Sequence, residues 1–167
     1  MVVVKMKLYI QSGRLLNSYV EMFRIAVLLC GLVIIAWNDG KEKRIPNEWL
    51  AALAMLRTVF LVFEIQSNEW DIVLFFFVKG MMLGGGLFLL PYLFSNGSVG
   101  AGDVKLLAVA GYYMGSPGIL FIIVSAVIVA TVYSVVLLIL GKADKKKKIA
   151  FAPFIFVGTI FTLWKGA

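Results

Sequence analysis

The chain has 167 residues, enough for one domain, and 62% of them are hydrophobic against 15% charged, with a mean hydropathy of +0.97; this excludes an ordinary soluble globule and points to a membrane protein. With no histidine and a single cysteine, Cys30, a zinc cluster, a disulfide framework and a histidine-assisted nucleophile are excluded, so chemistry is left to carboxylates, amines and hydroxyls, and no metal or cofactor is expected. The formal net charge is +7, but the basic residues fall between apolar segments, where they act as topology signals and contacts for anionic lipid, and no nucleic-acid partner is expected.

Residues 1 to 19 carry Lys5, Lys7 and Arg14 among apolar residues. They leave three readings open: an interfacial amphipathic segment, a frayed tail, or residues upstream of a start at Met6 or Met22. The apolar run that follows leads to Trp37-Asn38-Asp39 and not to a small-residue cleavage site, so it reads as a first membrane span, about residues 20 to 38, and not as a cleaved signal peptide. The connection from Asp39 to Asn47 is short and basic, and its Pro46 suits the first turn of a helix. A second span covers about 48 to 65. Gln66 to Asp71 then contributes two acids and no Lys or Arg, as expected of an outside loop. The third span, about 72 to 94, contains Gly84-Gly85-Gly86, which suits close helix approach or a bend.

After Gly100-Ala101-Gly102-Asp103 comes a short fourth segment, about 103 to 115. Gly115-Ser116-Pro117 makes a turn, and a long fifth span runs to about Leu140. Thirteen helical residues reach only roughly 20 Å against a hydrocarbon core of about 30 Å, so either the fourth helix begins earlier or Asp103 is recessed. The run Lys142 to Lys148, interrupted by Ala143 and Asp144, reads as a solvated anchor before a sixth span of about 149 to 164. The expected fold is all-α, a polytopic membrane protein with about six transmembrane helices, divided into a basic segment 1–19 and a membrane domain 20–167.

Counting basic residues on alternate sides orients the chain. Lys41, Lys43, Arg44, Lys105, Lys142 and Lys145 to Lys148 lie with the Asp39 loop; Lys5, Lys7, Arg14, Arg24 and Lys165 lie opposite. The excess puts the Asp39 loop in the cytoplasm. Parity adds an inference that does not depend on orientation. Asp39 ends span one, Asp103 begins span four, and spans two and three form a hairpin between them, so both acids lie on the same side of the membrane.

Two carboxyl groups at similar depth can share a proton, since like charges at close range push their pKa values apart. One, ionised, can draw a proton from water while the other hydrogen-bonds the carbonyl under attack, which is peptide hydrolysis without a covalent intermediate. The alternative is a small proton- or cation-coupled transporter using the same acids, and a third reading is an inactive assembly factor. Gly100 and Gly102 suit unusual backbone conformations and the close passage of a peptide. Lys105 either snorkels to the surface or lies near the acids. Asn38 and Asn47 read as helix-end caps, or else orient the acids or a substrate. Arg57 and Lys79 fall inside spans two and three at similar depth, where they either snorkel outward or line a polar cavity.

Asp39 with Ile45-Pro46-Asn47 six residues on, Gly100-Ala101-Gly102-Asp103-Val104-Lys105-Leu106, and Phe151-Ala152-Pro153-Phe154 followed by Gly158 together resemble the aspartic leader peptidases of type IV prepilins and the related preflagellin peptidases. The resemblance covers residues from about 20 to the end. It implies a multi-pass endopeptidase of the inner (cytoplasmic) membrane. Such an enzyme cuts the short basic leader from prepilin or pseudopilin substrates at the cytoplasmic face, with Asp39 and Asp103 as the catalytic pair and Gly100 and Gly102 shaping the loop. The longer bacterial members carry an amino-terminal region with paired Cys-x-x-Cys motifs and methylate the new amino terminus. Nothing here corresponds to that region, so the chain is similar to the short, peptidase-only members, such as those serving Tad/Flp-type pili, and methyltransferase activity is not expected.

Overall fold

The computed structural model describes residues 2–65, 70–94, 99–141 and 149–166. Among these the regular elements are α-helices: α1 (Val2–Glu42), α2 (Asn47–Ile65), α3 (Trp70–Phe94), α4 (Ala101–Ile139) and α5 (Ala152–Gly166). The segments Tyr19–Glu42, Leu74–Phe94 and Ala101–Ile139 are long and apolar enough to cross a membrane, and the chain is a multi-pass membrane protein. Residues 66–69 of the expected acidic loop and the run Lys142 to Lys148 lie outside the described residues.

α4 holds both the fourth and the fifth expected segments. Gly115 interrupts it with φ +71° and ψ −178°, a left-handed φ that glycine adopts without a Cβ penalty, and Pro117 follows. The two arms fold back on each other, as Gly84 of α3 shows. A Cβ at Gly84 would run into the Leu107 carbonyl of the first arm and stand 2.9 Å from Ile119 Cγ1 of the second. A continuous helix would separate those residues by about 18 Å. The same seam brings Gly80 against the Gly111 carbonyl and the Gly115 backbone, so glycine on both helices permits a close antiparallel approach. On the other side of the hairpin, Gly158 of α5 packs against the Ile122 carbonyl and Ala126 of the second arm.

Buried stripes at helical spacing carry the core. α1 contributes Leu28, Leu32 and Ile35, and α2 contributes Leu50, Leu53 and Leu61. The first arm of α4 supplies Leu106, Leu107, Ala110 and Tyr113, the second Ile119, Ile122 and Ala126, and α5 Ala152, Phe154 and Ile155. The opposite faces of the same helices expose residues such as Phe23, Met55, Phe75, Ile128 and Ile139, as befits surfaces that meet lipid.

α1 extends one turn past the expected end of the first span, so that Asp39 lies within the helix and the connection to α2 shrinks to residues 43–46. Lys43 takes φ +54°, and its N–H donates to the Asp39 carbonyl at 3.0 Å. A single left-handed residue thus closes the helix, in the position where glycine is usual.

Candidate active site

Asp39 continues the buried stripe of α1. Leu28, Leu32, Ile35 and Asp39 follow one another at intervals of four, three and four, so all four share one face, and Asp39 is 5% exposed. Its Oδ2 accepts a hydrogen bond from the Ala152 N–H, at 3.1 Å, where α5 begins. Asp103 likewise starts the inward stripe of α4, three and four residues ahead of the buried Leu106 and Leu107.

Gly100 is the N-cap residue of α4, with φ −78° and ψ 139° and no side-chain cap. Asp103 instead reaches back to the Gly100 backbone, one half of a capping box. The short loop therefore uses Asp103 as a structural clasp while presenting it at the mouth of the bundle.

The structure brings the two acids together at one end of the bundle, close enough for the charge of Asp39 to act on Asp103 through an interior of low polarity. Three contacts knit this end. A Cβ on Gly102 would stand 2.9 Å from Ile45 Cβ in the α1–α2 connection. Lys105 Nζ donates to Asn47 Oδ1 at 2.9 Å, tying the first turns of α4 and α2. The Phe88 and Phe151 rings stack with centroids 5.3 Å apart, tying α3 to the entrance of α5.

Several sequence expectations change in kind. The φ of Gly100 is open to any residue, and what glycine provides at 100 and 102 is room: a Cβ at Gly100 would lie 3.0 Å from Asp103 Oδ2. Lys105 is exposed, but it is spent on Asn47 and pairs with neither acid. Asn47 opens α2 and serves as that acceptor, whereas Asn38 falls inside the last turns of α1. Among the described residues the ion pairs are Arg24–Glu64 and Arg57–Glu64, so neither Asp39 nor Asp103 is matched by a cation.

Arg57 does not snorkel. It is fully buried, with Nη2 2.9 Å from Glu64 Oε2, Nε donating to the Tyr112 carbonyl at 2.9 Å and its guanidinium 4.0 Å above the Phe77 ring. Arg24 Nη1 takes the other Glu64 oxygen, also at 2.9 Å. The Tyr112 carbonyl belongs to the last turn of the first α4 arm, where carbonyls lose their helical partners. Lys79 behaves differently: it is exposed, with Nζ 5.7 Å over the Phe75 ring, as a snorkelling lysine does. The signal that would have revealed Glu64 is its spacing from Arg57, two turns along one face.

An open groove of about 540 Å³ between α4 and α5, lined by Phe121, Ser125, Phe161, Thr162 and Trp164, contains no titratable side chain and lies towards the far end of α5 from Ala152.

Residues 26–135 match the profile of the Type IV leader peptidase family. The chain is 28% identical over 163 residues to a prepilin leader peptidase/N-methyltransferase of Bacillus subtilis (strain 168), an alignment covering 95% of this chain and 62% of that protein. It is 26% identical over 164 residues to the protein of the same name from Pectobacterium carotovorum subsp. carotovorum, covering 95% of this chain and 57% of the relative. A third, from Xanthomonas campestris pv. campestris, is 28% identical over 143 residues, covering 85% and 50%. The chain thus spans little more than half the length of these relatives. No solved structure matches it.

Proposed function

The chain belongs to the type IV leader peptidase family, and from that premise we propose that it is a membrane-embedded aspartic endopeptidase that removes the short basic leader of a prepilin or pseudopilin at the cytoplasmic face of the inner membrane. The observation that carries this reading is the pair of carboxylates contributed by α1 and α4 to one end of the bundle, neither matched by a cation among the described residues.

In the proposed reaction one carboxylate takes a proton from a water as its oxygen attacks the scissile carbonyl. The other carboxyl, protonated, donates a hydrogen bond to the carbonyl oxygen, and the tetrahedral species collapses as a proton passes to the leaving amine. The C–N bond breaks, the water oxygen stays on the new carboxylate, and no covalent enzyme intermediate forms. Placing the pair at the mouth of an apolar bundle suits a substrate whose bond is cut where a polar leader meets an apolar helix. The excess of basic residues on the Asp39 side supports a cytoplasmic position for the site.

Co-expression with a prepilin-like protein, a basic leader followed by glycine and an apolar helix, tests the reading by the mass of the product. The parent chain is expected to release the leader, and Asp39→Asn and Asp103→Asn are each expected to leave it attached. Undiminished cleavage in both variants would sink the two-aspartate mechanism, and a parent that binds the substrate without cutting it would sink the peptidase itself.

A further inference from the structure

The first turn of α5 touches Asp39 in a way that the two-carboxylate reaction does not by itself require. A helix begins with several N–H groups that lack helical partners. In α5 the Phe154 and Ile155 N–H groups both turn to the Phe151 carbonyl, at 3.0 and 3.2 Å. Pro153 has no N–H, which leaves Ala152 as the donor of this turn that reaches out of its own helix, and it donates to Asp39 Oδ2. A residue of α1 thus caps a helix that follows it by 113 positions in sequence. Its backbone is held at the same time, since the Asp39 carbonyl accepts the Lys43 N–H.

Resting on the peptidase reading above, we infer that Ala152 and Pro153 position Asp39 for hydrolysis: the one available N–H of α5 holds Oδ2, and Oδ1 is the oxygen left to bind the attacking water. The geometry favours a single donor. A side chain at a helix start ordinarily takes the N–H of the second or third residue. Here proline removes the second and the Phe151 carbonyl claims the third, so among the described residues the carboxylate meets one donor and is not drawn by this helix into a fork that would occupy both oxygens. Ala152 is fully buried, and Phe154 and Ile155 behind it belong to the core, so the donor sits on a rigid support. α5 adds no competing charge near Asp39, because its sole titratable residue, Lys165, stands at the opposite end of the helix. Ala152 is a positioning residue acting through Asp39, and its contribution lies in the main chain.

The test separates the N–H from the side chain. Ala152→Gly keeps the donor; Ala152→Pro removes it at a position where proline is tolerated; lactate in place of Ala152, giving an ester linkage, removes it with almost no change of shape. Leader cleavage is measured in detergent across substrate concentrations, with amide hydrogen exchange at residue 152 in the parent and in Asp39→Ala. The ester form and Ala152→Pro are expected to lose kcat by on the order of 10- to 100-fold with KM little changed, the cost of a misplaced catalytic group, while Ala152→Gly retains the rate. Exchange at residue 152 is expected to be slow in the parent and fast in Asp39→Ala. Parental kcat in the ester form overturns the inference and leaves the peptidase reading intact. A parent that shows slow exchange and never cleaves overturns the peptidase reading, and the positioning role with it, while the contact stands as a structural cap.

Discussion

The two ends of this bundle bury charge in opposite ways. The inward face of α1 carries Arg24 towards one end and Asp39 towards the other, about 22 Å apart along the helix. At the first end Glu64 lies between two guanidinium groups, and Arg57 also finds a main-chain carbonyl and an aromatic face. At the second end two carboxylates lie within electrostatic reach of each other, and among the described residues the hydrogen bonds that reach them come from the backbone of Ala152 and of Gly100. An acid matched by cations contributes cohesion, because removing either side leaves a charge stranded in an apolar interior. An acid set beside another acid keeps its capacity to take or hold a proton, at a cost that the rest of the fold must offset. On the peptidase reading proposed above, the difference separates what holds these helices together from what reacts.

That contrast can be broken most directly at Glu64. Replacing it by leucine strands both arginines, and a loss of about 3–5 kcal/mol is expected, read as the shift in denaturant midpoint of the purified protein in detergent. Asp103→Asn should leave that midpoint near the parent value while abolishing cleavage. A loss of stability in Asp103→Asn as large as that of Glu64→Leu would erase the distinction between the ends. A smaller effect is expected from Gly111→Ala, whose new Cβ would run into the Gly80 carbonyl. Overpacking of this kind costs about 1–3 kcal/mol, and because it pushes the first arm of α4 away from α3 it should lower stability and cleavage rate together, coupling the two ends. The smallest expected effect belongs to Tyr113→Phe. The buried Tyr113 hydroxyl donates to the Leu53 carbonyl at 2.8 Å, so its removal should cost about 1 kcal/mol and leave KM unchanged, sharpening the arginine end as a purely structural one.

Much of this organisation was legible in the sequence. Long apolar runs gave the helices, with α2 expected over 48–65 and found at Asn47–Ile65, and α3 expected over 72–94 and found at Trp70–Phe94. Glycine and proline at 115 and 117 marked the reversal in α4, because few other residues permit so abrupt a turn. Parity along the chain put Asp39 and Asp103 on one side, and the structure brings them to one end. The faces of the helices were not legible. In a membrane protein the side turned to lipid is as apolar as the side turned inward, so the alternation that betrays a buried face in a soluble helix is absent. Arg57 therefore looked like a candidate for snorkelling, and Glu64, close to the end of its helix, drew no attention. That Gly100 takes an unusual backbone conformation is the part of the glycine reading that the structure corrects, for a related reason: sequence reveals that a residue lacks a side chain, but not which neighbour takes up the space. The Ala152–Asp39 contact joins a main-chain group to a distant side chain, and its one trace in the sequence is Pro153.

The reversal at Gly115 also bears on how the protein is made. The first arm of α4, residues 101–114, is about 21 Å long, too short to cross a hydrocarbon core of about 30 Å unaided. It must enter the bilayer together with the second arm, as a hairpin. The donor that grips Asp39 belongs to α5, which leaves the ribosome later still. A chain synthesised only through α4 therefore holds both aspartates and still lacks the N–H that grips Asp39, so on the proposed reading the site is completed only when α5 docks.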